Sequence, residues 1–220
     1  MPPRTLEAAR ERSYNDGMAA GGAPEWLIRE DAGQSVLLAL YLRQVLGIRG
    51  PNELPSLRGV PAVTAQRTEG TQNALERQWL SHWEMTVEPQ AHPSPVPLDL
   101  VDGFGTHLAL PIEGFDELRA AALPFGEQAS AFAEAAHERY RRDATAAGGS
   151  AYRAYASAIA EHERTVGRRA HSFELNVQIL PLAQRGVWWI GDLTIAVTDG
   201  LRGDIAAFDA AIHPIIADLA

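Results

Sequence analysis

Near residue 172 the spacing of apolar residues changes from threes and fours to twos, and this change limits the architectures open to the chain. Phe173, Leu175, Val177 and Ile179 alternate with Glu174, Asn176 and Gln178, the pattern of a strand with one wet face. After a turn over residues 181–186, Val187-Trp188-Trp189-Ile190 predicts a second strand. Leu193, Ile195 and Val197 then predict a third, or a continuation of the second past a bulge at Gly191-Asp192. Adjacent residues on a strand face opposite ways, so one of Trp188 and Trp189 belongs to the core and the other to the surface or to an interface.

Most of the chain before this point has helical periodicity. Trp26, Leu27 and Ile28, followed by Val36, Leu37, Leu40, Tyr41 and Leu46, predict one buried helix ending near Gly47. Leu75, Trp79 and Trp83 predict a second over about residues 71–87, with His82 beside the aromatic stripe. Pro89, Pro93, Pro95 and Pro97 force an extended passage, because each fixes its own φ and disfavours helix at the residue before it. Two alternating runs around Asp102-Gly103-Phe104-Gly105 predict a hairpin over residues 96–110. A short helix follows over residues 115–123. The stripes Phe125, Ala129, Phe132, Ala136, Tyr140 and Tyr152, Tyr155, Ile159, His162, Val166 flank Gly148-Gly149. They predict an antiparallel helical hairpin in which Tyr140 faces Tyr152 and Ala136 faces Tyr155. The last helix starts at an Asp204 cap, buries Ile205, Phe208, Ile212, Ile215 and Leu219, and kinks at Pro214.

Strands gathered at one end and helices elsewhere indicate an α+β fold. The expected form is a small antiparallel sheet from residues 172–198, with the 96–110 hairpin available to extend it and amphipathic helices packed on one face. Residues 1–23, which end in a glycine-rich passage, read as a loosely ordered arm, and residues 24–220 as a single α+β domain.

All 19 basic residues are arginine, and the chain contains no lysine and no cysteine. Phosphate-loop lysines, Schiff-base lysines, thiolate nucleophiles, disulfides and zinc–cysteine sites are thereby excluded. The formal charge of −9 opposes nucleic acid and anionic membrane as partners. The longest uninterrupted apolar run, residues 36–42, is far shorter than the roughly 20 residues of a membrane span. No apolar secretory core follows Met1-Pro2-Pro3-Arg4, so a cytoplasmic location is expected. The lysine-free, alanine-rich composition is of the kind a GC-rich bacterial genome produces.

Glu134-Ala-Ala-His137 places a carboxylate and an imidazole on one helical face, and a looser metal site could add Glu161 or His162 from the partner helix. A di-iron bundle needs two such Glu-x-x-His steps, and the chain has one. His162 also occupies an apolar stripe position, which favours a hydrogen-bonded core histidine. His107 and Asp102, in the glycine turn, form an alternative polar cluster. Glu161-His162-Glu163 reads as charged helix surface, since neighbours on a helix diverge. Gly-x-Ser-x-Gly and His-Glu-x-x-His are absent from the chain. With no complete catalytic motif, the expectation is a non-catalytic interaction or accessory protein, with Trp188 and Trp189 as interface anchors for a protein partner or a second copy. The rival is a small-molecule enzyme or ligand-binding protein built on histidine and carboxylate. No cofactor is implied, and whether the chain is an enzyme stays open.

Overall fold

The computed structural model describes residues 25–61 and 67–220, with side chains at all of them but 150 and 151. The arm expected at residues 1–23 lies outside the described residues. The fold is α+β. Its strands are β1 Trp26–Asp31, β2 Leu98–Leu100, β3 Ala109–Pro111, β4 Phe173–Leu180, β5 Val187–Trp189 and β6 Thr194–Thr198. Its helices are α1 Gln34–Val45, α2 Glu69–Val87, α3 Asp116–Ala122, α4 Gly126–Ala146, α5 Ser150–Val166, the single turn α6 Asp199–Arg202, and α7 Ile205–Leu219.

The main sheet has the order β1-β4-β6-β5. β4 is parallel to both β1 and β6, and only β5 and β6 pair antiparallel, so the sheet is mixed where an antiparallel one was expected. The difference begins at Trp26-Leu27-Ile28, which joins the sheet as an edge strand and does not start a helix. Residues 25–31 can follow either period, and pairing with β4 selects the strand. After β4 the chain swings out to lay down β5, then turns back so that β6 fills the gap between β5 and β4. The β2–β3 hairpin remains a separate two-stranded sheet. Its outer strand is only three residues long and follows Pro97, which blunts it as a pairing edge.

Phe173, Leu175, Val177 and Ile179 of β4 and Ile195 and Val197 of β6 share one sheet face, buried beneath α5 and α7. On the other face Leu180, Ala196 and Trp188 pack into a second cluster built by α1, α2, α3, the β2–β3 hairpin and the first half of α4. Helices therefore reach both faces. α4 and α5 follow one another through the glycine turn, but α4 packs mainly on α1 and α5 mainly on α7. Tyr140 contacts both clusters and joins them.

Within the second cluster Trp79 is completely buried and stacks on Trp83, with ring centroids 5.5 Å apart. Its indole N–H donates to the Ala39 carbonyl at 2.8 Å, tying α2 to α1. His82, one turn further, is buried as well, and desolvation lowers its pKa to about 4, so the ring is neutral at pH 7. Where α2 ends, the Glu88 carboxylate accepts from the backbone N–H groups of Asp192 and Leu193 at 3.0 and 2.7 Å and from the Thr194 hydroxyl at 3.1 Å. This staples the helical layer to the β5–β6 turn. Gly126, where α4 begins, lies against Gly103; a Cβ at Gly126 would come within 3.0 Å of the Gly103 backbone, so only glycine lets these segments meet.

At the C-terminal end Asp204 accepts from Ala207 N–H at 3.2 Å and caps α7, which carries Pro214 within it. Among the described residues no helix is long and apolar enough to cross a membrane.

Candidate functional site

The parallel strands β1, β4 and β6 end on the same side of the sheet, and a cleft of about 450 Å³ opens there. Ile179 and Pro181 at the end of β4, and Asp199 just after β6, form one wall. Ala136, Arg139, Tyr140, Asp143, Ala144 and Ala147 of α4 and its following turn form another, and Arg202, Gly203 and Ile205 close it. Crevices outside the carboxyl ends of strands are common ligand sites, because the loops leaving those ends diverge. The volume lies within the range of small-molecule pockets.

At the base of this cleft a buried polar cluster centres on Glu30 of β1. Arg202 Nε donates to Glu30 Oε2 at 2.9 Å and to Oε1 at 3.1 Å. The Tyr155 hydroxyl donates to Oε2 at 2.9 Å, and the Tyr140 hydroxyl to the Glu30 main-chain carbonyl at 2.9 Å. Only 13% of the Arg202 side chain and 14% of Glu30's are exposed, so this ion pair is largely removed from water. The Arg202 guanidinium carbon also sits 5.5 Å from the centroid of the Phe208 ring. Burial, reinforced by the Glu30 charge, pushes the Tyr140 hydroxyl up to about 12 and the Tyr155 hydroxyl further in the same direction. Both are thus fixed as protonated donors at neutral pH.

The remaining charged groups differ in commitment. Asp199 pairs with Arg58 and accepts from the Gly200 N–H at 2.6 Å. Arg139 and Asp143, one turn apart on α4, are exposed at the mouth and have no ion-pair or hydrogen-bond partner among the described residues. The cleft thus offers a polar ligand two guanidinium groups and a carboxylate, set in walls that are otherwise alanine, isoleucine and proline.

The residues singled out from sequence are placed elsewhere. Glu134 is exposed on α4. His137 Nδ1 donates to the Ala32 carbonyl at 2.8 Å, with Asp31 Oδ1 3.7 Å away, so the ring serves the β1–α1 junction. His162 lies on α5, its Nε2 buried without a hydrogen-bond partner among the described residues. Among the described residues no group of three or more histidine, aspartate or glutamate side chains is arranged to hold a metal ion. His107 and Asp102 are both exposed in the β2–β3 turn, which is anchored by the buried Phe104. Trp188 packs against the helical cluster, while Trp189 is 37% exposed at the β5 edge.

Glu30, Arg139, Asp143 and Arg202 were not marked as a group by the sequence, where Arg139 reads as a solvated helix face and Arg202 as part of a turn. The available signal was that Tyr140 and Tyr155 lie on apolar stripes yet carry hydroxyls, so each needs a buried polar partner. Scans against protein-family models, curated proteins and solved structures each gave no match to this chain.

Proposed function

We propose that this chain is a non-catalytic accessory protein that works by binding a small molecule in the cleft at the carboxyl ends of β1, β4 and β6. The observation that carries the reading is the pairing of an open apolar cleft with a pre-arranged buried polar cluster at its base. A fold that buries an ion pair at a cavity gains little stability from it, whereas a binding site gains a rigidly held guanidinium. The charge of −9 supports a partner other than nucleic acid and is compatible with a cytoplasmic location. The test is fragment screening by NMR on the wild-type protein and on Ala144→Trp, which fills the cleft from α4. Compounds should shift resonances of Tyr140, Ile179 and Ile205 and lose that effect in the variant. Binding that maps elsewhere, or survives the filled cleft, would remove the proposal.

A second reading, protein–protein interaction or self-association, is favoured by the exposed Trp189 together with Leu193, 39% exposed beside the same turn. In this reading Trp189 is the anchor and Trp188 its support from within. Sedimentation velocity over a concentration series should then show reversible association that Trp189→Ala abolishes. A monomer at every concentration in both proteins counts against self-association.

A further inference from the structure

Resting on the cleft reading above, we infer that the ligand is a small organic monocarboxylate with an apolar body, its carboxylate received by Arg202 and Arg139. Glu30 engages Arg202 through Nε alone, and the same carboxylate is further occupied by Tyr155. The terminal nitrogens Nη1 and Nη2 therefore have no acceptor among the described residues, although the side chain is mostly buried and lines the cleft. Neither nitrogen is among the buried unpartnered atoms, so both are open to the cleft, and a planar oxyanion placed against them would take up the pair of donors that Glu30 leaves free.

The arrangement is also rigid. Glu30 fixes one edge of the guanidinium and Phe208 lies against its face, so little side-chain freedom is lost when a ligand arrives. Arg139 supplies a second cation, with no partner among the described residues, at the cleft mouth. Charge decides between oxyanions. Asp143 and Asp199 line the same cleft, and they repel a phosphate dianion more strongly than a carboxylate monoanion. The alanine, isoleucine and proline surfaces of the cleft accept an apolar body.

The experiment is calorimetric titration of the full chain with a series of straight and branched monocarboxylates of four to eight carbons, their primary amides, and inorganic phosphate, at fixed ionic strength. The inference expects the best carboxylate to bind at least about tenfold more tightly than its own amide and than phosphate. Arg139→Gln, an exposed change, should weaken that carboxylate by about threefold to tenfold while leaving thermal stability unchanged. Arg202→Lys, checked for folding by near-UV circular dichroism, should weaken it by more than Arg139→Gln, because it keeps a charge but loses the fork. Amides binding as well as acids, in a manner abolished by Ala144→Trp, would overturn the carboxylate assignment and leave the cleft reading standing. Phosphate binding as tightly as the best acid would overturn it too. If neither acids nor amides bind, both readings fall.

Discussion

Replacing Glu30 with leucine should destabilise the protein by about 3–5 kcal/mol, because it leaves the Arg202 guanidinium buried with no counter-charge. The same change strips the Tyr155 hydroxyl of its acceptor, and a buried donor left unpaired adds to the loss. For a chain of this size a loss of that order lowers the melting temperature by about 6–20 °C. Arg202→Met should cost a comparable amount by stranding the Glu30 carboxylate. The double variant Glu30→Leu with Arg202→Met should be more stable than either single variant, since removing both charges removes the desolvation cost along with the attraction. Urea denaturation of the four proteins measures the cycle. Single variants within about 1 kcal/mol of wild type would mean the pair behaves like an exposed surface ion pair, contrary to its burial.

Trp79→Ala should have an effect of similar size, about 3–5 kcal/mol, from lost apolar transfer and the cavity left behind. Trp79 has no exposed surface, and it stacks on Trp83. Its N–H bond to the Ala39 carbonyl joins two helices distant in sequence. Trp79→Phe keeps an aromatic ring in place but loses the donor and some volume, and should cost about 1–2 kcal/mol. A net stability of about 5–15 kcal/mol is typical of folded domains, so the alanine variant should be close to unfolding at 37 °C if this protein lies at the lower end. Equilibrium urea titrations followed by circular dichroism provide the values. An alanine variant as stable as the phenylalanine one would show that the indole pocket collapses without cost, and would sink the packing argument.

Where the determinants are local, the sequence reads well. The Asp204 cap and the apolar stripe of α7 lie within one stretch of chain, and the helix forms where they place it, burying Phe208 and Ile212 as expected and Ile216 in addition, while Ile205 in the first turn is exposed. α2, α4, α5 and the alternation of β4 are legible for the same reason. β1 is not, because Trp26-Leu27-Ile28 fits a helical start as well as a strand, and the partner that decides between them is 145 residues away. Parallel pairing leaves no turn signature, so the mixed sheet was out of reach. The cleft is harder still: Glu30, Arg139, Asp143 and Arg202 come from three separate segments, and no spacing connects them. Glu134 and His137 show the converse error. Their spacing is right for one helical face, but the packing of Ala133 and Ala136 turns that face so that His137 meets the Ala32 carbonyl and Glu134 meets water.

The position of β4 between β1 and β6 also bears on how the chain is made. Arg29 and Glu174, which form an ion pair between β1 and β4, are 145 residues apart, and ribosomes add roughly 5–20 residues per second. β1 therefore waits about 7–30 s before the strand that covers its inner edge has been synthesised. During that interval α1, α2, α3 and α4 can gather around Trp79 from contacts much nearer in sequence, while Glu30 has no Arg202 to receive. The order of synthesis thus supplies most of the helical cluster before the central strands of the sheet, and the cleft can form only when the final fifth of the chain arrives.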